Sequence, residues 1–183
     1  IFVNKSKIRS KILILRRKNF NKNHKINLDK FISFLKKNIP NAKKIGGYYP
    51  SNYEIDDLEI LDLLEKQNYG ISLPIVKKNN QMNFYKWSKK DLLLINKFGI
   101  PEPISSKIVY PDILLVPLVG YDKYLNRLGY GGGFYDRYIE KIEKIKKIKK
   151  IGLAFSCQKI KSVPIDQYDK KLDFIITEKE IVK

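Results

Sequence analysis

The chain has one cysteine, Cys157, and one histidine, His24, in 183 residues. One thiol cannot form an internal disulfide, which fits a reducing compartment, and Cys157 reads as an inert packed thiol. His24 lies in the polar stretch NKNHK and reads as a surface residue. No run of about 18 apolar residues occurs, so no transmembrane helix is expected. The opening IFVNKSKIRSKILILRRK interrupts its apolar residues with charges and lacks a small-residue cleavage site. A signal peptide is therefore not expected, and a cytoplasmic protein is.

Arginine is also scarce. Only five of the 37 basic residues are arginine (9, 16, 17, 127 and 137), although the net charge is +18. Such a charge suggests nucleic acid as a partner. The excess is lysine, however, and lysine, asparagine and isoleucine share adenine- and thymine-rich codons. Base composition then supplies much of the charge, and no specific nucleic-acid partner is expected. The arginines become the informative cations, and two of them flank the chain's densest glycine cluster, RLGYGGGFYDRY at 127–138.

Hydrophobic content is 43%, and 183 residues suit a single domain over 1–183. Periodicity predicts a first helix in NKSKIRSKILILRRK, burying Ile8, Ile12 and Leu15, and a second in NLDKFISFLKKNI, burying Leu28, Phe31, Ile32 and Leu35. YEIDDLEILDLLEKQ predicts a helix on Leu58, Leu61 and Leu64, and FYDRYIEKIEKIKKI one on Tyr138, Ile142 and Ile145. SKKDLLLINKFG, with Ser88 and Asp91 at capping-box spacing, predicts a short helix. The two prolines of IPEP predict an irregular segment. KKIGGYY, YGISLPIV, MNFYKW, DILLVPLV, KKIGLAF and LDFIITE read as strands. Near-continuous apolar strands alternating with helices predict an α/β fold: a three-layer α/β sandwich around a largely parallel sheet, Rossmann-like.

The glycine cluster falls between a buried strand and a helix. A helix start exposes unpaired N–H groups and the positive end of its dipole, and glycines let that backbone approach a ligand. The combination suits phosphate. It matches neither G-x-x-x-x-G-K-S/T nor G-x-G-x-x-G. Arg127 and Arg137 are phosphate-seeking. Tyr130, Phe134 and Tyr135 offer a flat wall for a ring, and Asp136 a hard oxygen for Mg²⁺. The alternative is a tight turn in which Asp136 only favours the helix start.

RLGYGGGFYDRY closely resembles the signature of the 5-formyltetrahydrofolate cyclo-ligase (methenyltetrahydrofolate synthetase) family. NKSKIR resembles that family's Lys-x-x-x-Arg element, YYPSNYEIDD its strand-to-helix junction, and FGIPEP its I-x-E-P segment. PDILLVPLVGYD resembles the strand entering the signature, and VPIDQYDKKLDFIITE the closing segment. The resemblance runs from about residue 5 to 178. It implies an enzyme that uses ATP and Mg²⁺ to convert 5-formyltetrahydrofolate to 5,10-methenyltetrahydrofolate. The formyl oxygen is phosphorylated, the substrate's own N10 closes the ring, and phosphate leaves, so no catalytic nucleophile is required of the protein. Positioning and charge would come from Arg127, Tyr135 and Asp136.

Carried over by position, Lys5, Arg9, Arg127, Leu128, Gly129, Tyr130, Gly131, Gly132, Gly133, Phe134 and Tyr135 would bind ATP. Tyr49, Glu54, Met82 and Phe98 would bind the folate, together with Tyr130, the three consecutive glycines and Phe134. Asp136 and Asp169 would hold the metal. Some members carry lysine where this chain has Gly132, which shifts phosphate neutralisation onto Lys5, Arg9, Arg127 and the metal. Tyr168 stands where others often have histidine or tryptophan. The resemblance implies a small-molecule folate as the partner, and a monomer with no membrane partner is expected.

The residues leave other readings open. Lys5 fits a solvated helix face, Asp169 a turn and Glu54 a helix-start charge. A basic nucleic-acid-binding protein fits the net charge, and a phosphosugar isomerase or acyl-CoA transferase relative fits the fold.

Overall fold

The computed structural model describes residues 4–77 and 81–183; residues 1–3 of the stretch weighed as a signal peptide lie outside them. The chain orders as α1 (Lys5–Asn19), α2 (Leu28–Asn38), β1 (Lys44–Gly46), α3 (Leu58–Lys66), β2 (Gly70–Val76), β3 (Met82–Lys86), β4 (Leu93–Ile95), β5 (Pro101–Pro103), β6 (Ile108–Val109), β7 (Ile113–Pro117), β8 (Gly120–Tyr121), β9 (Arg127–Leu128), α4 (Phe134–Glu143), β10 (Lys149–Leu153), β11 (Phe174–Ile176) and β12 (Ile181–Val182). Eight strands form one sheet in the order β12-β11-β10-β7-β1-β2-β3-β6. The pairs from β11 through β2 are parallel, and antiparallel strands close both edges. The expected α/β sandwich around a largely parallel sheet is the fold observed.

Alternation along the strands separates the layers. Ile113, Leu115, Ile45 and Ile151 pack with Phe31, Phe34 and Leu35 of α2 and Ile60, Leu61 and Leu64 of α3. Leu114, Val116 and Phe84 pack on the other face with Tyr138, Ile139 and Ile142 of α4. Ile12 of α1 belongs to a third, smaller cluster with Val119, Leu128 and Val163. That cluster lies just past the carboxyl end of β7, where ligands of open α/β sheets collect. No helix of the described residues is long and apolar enough to cross a membrane.

Four expectations are corrected. SKKDLLLINKFG is not a helix: Leu93–Ile95 pairs antiparallel with Pro101–Pro103, so IPEP is a strand rather than irregular. The Ser88 N–H does donate to Asp91 at 2.8 Å, but the motif closes a turn. The prolines are tolerated because Asn96 N–H bonds Ile100 O, which puts Pro101 and Pro103 at the positions whose N–H would face away from the partner strand. In α1, Leu15 is 43% exposed while Arg16 is 1% exposed. In α4, Ile139 is buried, and Ile145, 54% exposed, lies past the helix end.

Candidate active site at the glycine loop

The long strand β7 does not lead directly into the glycine loop. A small hairpin, β8–β9, intervenes. Asp122 closes it by accepting from the Tyr124, Asn126 and Val163 backbone N–H groups. Arg127 and Leu128 emerge from it already buried. Residues 129–133 then turn into α4 with Gly131 at φ 102 and Gly133 at φ 65. Gly133 is the N-cap, so α4 starts without a side-chain cap. A Cβ on Gly133 would lie 2.8 Å from Arg137 Nη1, and one on Gly131 3.4 Å from Arg9 Cζ. Backbone angle therefore favours glycine at both positions, whereas the Arg137 guanidinium beside Gly133 is the far end of a flexible side chain.

Arginines hold this loop. Arg9 Nε donates to Gly129 O at 2.7 Å. Arg137 donates to Gly132 O and stacks against Phe134. Arg127, 7% exposed, is turned beneath the loop and donates to Asp136 Oδ1 at 2.5 Å. The same Asp136 oxygen accepts the Lys170 N–H at 2.9 Å, which ties the closing loop to the first turn of α4. Lys5 Nζ lies 2.8 Å from Asp166 and 2.7 Å from Asp169. Lys5, Arg9, the glycines, Asp136 and Asp169 thus form one connected region, although they span positions 5 to 169.

Of the folate-assigned residues, Glu54 and Phe98 contact the loop and the start of α4 directly. Glu54 is 7% exposed. Its Oε1 accepts from the Tyr130 hydroxyl at 2.6 Å and its Oε2 from the Ser51 N–H at 2.7 Å. Burial raises the Glu54 pKa, opposed by these hydrogen bonds and by the charge of Arg16. Phe98, half exposed at the tip of the β4–β5 hairpin, meets Phe134 edge-on at 6.2 Å. Met82 is buried in the cluster beneath α4, against which Phe134 and Tyr135 pack. Tyr49 is half-buried just beyond β1. Burial raises the Tyr135 pKa well above its usual value, and the Glu54 and Asp57 charges add to the effect. Cavities of about 390 and 420 Å³ lie elsewhere, one beside Asp91 and Leu92 and one beside Asp112 and Lys149.

Two residues that sequence reasoning missed belong here. Arg16 donates to Leu118 O, Asn52 O and the Tyr130 hydroxyl. Asp57 is fully buried; its Oδ2 accepts the Tyr48 N–H at 3.0 Å, and its Oδ1 has no partner among the described residues. Burial raises its pKa well above the usual carboxylate range. The scarcity of arginine was a signal for Arg16, but it marked all five arginines alike. Nothing local distinguished Asp57 from its neighbour Asp56. Cys157 is half-buried, burial raises its thiol pKa, and His24 is exposed.

Residues 2–178 match the family model of the 5-formyltetrahydrofolate cyclo-ligase family. The chain is 35% identical over 138 residues to the 5-formyltetrahydrofolate cyclo-ligase of Haemophilus influenzae, covering 72% of this chain and 73% of that one. It is similar to the solved 5,10-methenyltetrahydrofolate synthetase of Aquifex aeolicus, with TM-score 0.78 and 31% identity over 97% of this chain and 91% of that one. The Mycoplasma pneumoniae 5,10-methenyltetrahydrofolate synthetase structure aligns with TM-score 0.75 and 26% identity over 97% of this chain and 100% of that one.

Proposed function

This chain belongs to the 5-formyltetrahydrofolate cyclo-ligase family, and on that premise we propose that it converts 5-formyltetrahydrofolate to 5,10-methenyltetrahydrofolate with ATP and Mg²⁺. ADP and phosphate are released through a phosphorylated formyl intermediate. One observation carries the reading. The Tyr130 hydroxyl of the glycine loop lies 2.6 Å from buried Glu54, so the phosphate loop and the folate acceptor share one boundary.

In this reading the loop N–H groups, with Arg9 and Lys5, bind the ATP phosphates and spread their charge. Glu54 accepts hydrogen bonds from the pterin, and Tyr49, Met82, Phe98 and Phe134 shape its pocket. The formyl oxygen takes the γ-phosphoryl group and ADP leaves. N10 then bonds to the formyl carbon and gives up its proton as the carbon–oxygen bond breaks and phosphate departs. Both reacting centres belong to the substrates, so the chain contributes alignment and charge. Arg127 fixes Asp136, and Arg137 fixes the carbonyl of Gly132.

The donor set fits Mg²⁺. Among the described residues no three potential ligands cluster, but Mg²⁺ beside a nucleotide needs only one or two carboxylates, with phosphate oxygens and waters. Asp136 and Asp169 would hold it, each already anchored through one oxygen, Oδ1 of Asp136 and Oδ2 of Asp169. Bound there, the metal would offset phosphate charge during transfer. The test is near-ultraviolet absorbance of the methenyl product from purified protein and 5-formyltetrahydrofolate. A rise that requires both ATP and Mg²⁺ is expected. No rise with both present refutes the reading.

A further inference from the structure

Arg16 is 1% exposed, on a helix whose neighbouring Ile14 and Leu15 face solvent. Its Nη1 donates to Leu118 O at 3.1 Å, and its Nη2 to Asn52 O at 2.6 Å and to the Tyr130 hydroxyl at 2.7 Å. No carboxylate touches it among the described residues, and its Nε is unpartnered. A buried guanidinium is costly unless its charge is met. Here the charge is met one step away, because the Tyr130 hydroxyl donates in turn to Glu54 Oε1 at 2.6 Å.

A guanidinium has donors only, so the Tyr130 oxygen accepts from Arg16, and its single proton goes to Glu54 when that carboxyl is ionised. The second anchor of Arg16 is equally specific. Asn52 and Tyr53, at φ 47 and φ 61, are successive non-glycine residues in the left-handed region. Arg16 holds the carbonyl of the first, and Glu54 follows the second.

We propose that Arg16 is a positioning residue for the folate site: through Asn52 O and the Tyr130 hydroxyl it holds Glu54 as an ionised hydrogen-bond acceptor facing the substrate. This rests on the proposed ring-closing function. The groups around Glu54 are Arg16 from α1, Tyr48 after β1, Asp57 at the start of α3, Tyr130 of the loop and Tyr135 of α4. Of these, Arg16 and Tyr130 favour the carboxylate, while burial opposes it. Removing the Tyr130 hydroxyl cuts the link to Arg16, so Glu54 keeps its proton to higher pH and accepts poorly.

Tyr130 is 42% exposed, and Tyr130→Phe retains its ring and deletes only the hydroxyl. Calorimetry would follow 5-formyltetrahydrofolate binding to wild type and variant from pH 5 to 8, and the ring-closure assay would give the KM for each substrate. Folate affinity should fall about tenfold or more near neutrality, the loss expected for a hydrogen bond to a charged group. Its loss at low pH should begin at higher pH than in wild type, with a smaller gap at pH 8. The ATP KM should change less than the folate KM. Arg16→Lys, if folded, should shift the folate profile the same way. Equal folate affinity of wild type and Tyr130→Phe at every pH overturns the proposal, as does a pH-independent loss accompanied by a lowered melting temperature. Wild type that binds folate without closing the ring refutes the function above and leaves calorimetry to decide this inference.

Discussion

Lys5 Nζ lies 2.7 Å from Asp169 Oδ2, although 164 positions separate the two residues. This contact joins a side chain assigned to phosphate with one assigned to the metal. Arg127 and Asp136 repeat the pairing at 2.5 Å beneath the glycine loop. Each carboxylate is thereby fixed in place by a cation.

Arg9→Ala should raise the ATP requirement tenfold to a hundredfold, the scale of a charge-assisted hydrogen bond. The folate requirement should change much less. Lys5→Ala should act in the same direction with little loss of stability, since a partly exposed pair contributes about 1 kcal/mol or less. Steady-state kinetics with each substrate varied checks both. A change confined to the folate dependence would place Lys5 and Arg9 at the wrong ligand.

Asp136→Asn keeps an acceptor for the Arg127 guanidinium and the Lys170 N–H. The fold should survive, while turnover falls by about two orders of magnitude because phosphate charge is no longer offset. Near-normal turnover at saturating Mg²⁺ would remove Asp136 from the metal site. Asp136→Ala is the less discriminating variant, since it also strips Arg127 of its partner.

Gly131→Ala meets two costs. At φ 102 any side chain is strained, so stability should fall by about 1 kcal/mol or more. The new methyl, in ordinary van der Waals contact with the Arg9 guanidinium at 3.4 Å, would also obstruct the approach of phosphate to the loop N–H groups, which should weaken ATP binding. A lowered melting temperature with an unchanged ATP KM would make the loop architecture only.

Asp57 gives a pH prediction. Its folded pKa is raised by burial, so the folded carboxyl holds a proton that the unfolded one has released. Its contribution to stability is therefore fully present below about pH 4 and is lost as pH rises through the folded value. Asp57→Asn should leave stability nearly unchanged at pH 4 and raise it increasingly toward pH 8. Chemical denaturation at both values measures this. Equal effects at the two would mean Asp57 ionises normally.

Much of the architecture was legible before any coordinates. The stripes of α2 and α3 predicted the side each turns to the core, although Phe34 and Ile60 are buried there while the expected Leu28, Ile32 and Leu58 are only partly so, and the apolar run at 112–119 predicted a strand covered on both sides. Signals of that kind repeat every two or 3.6 residues and need no knowledge of distant neighbours. The glycine loop was legible as well, because a left-handed backbone before a helix has few sequence solutions. SKKDLLLINKFG failed because a capping pattern over a short apolar run fits a turn and hairpin equally well. The register of α1 failed because periodicity assigns burial to leucine. Arg16 is buried instead by carbonyls that the end of β7 and the turn after β1 bring to it.

By itself, then, the sequence determined the alternation of helices and strands, the position of the glycine turn before α4 and the residues bordering it. Tertiary structure alone decided that Arg16 reaches Glu54 through Tyr130, that Asp57 is sealed from water, and that Lys5 meets Asp169. The physical reason is one of range. Helix and strand preferences are settled among residues a few positions apart. These contacts join residues up to 164 positions apart, and they exist only once the parallel sheet has set its strand order and gathered the loops at one end.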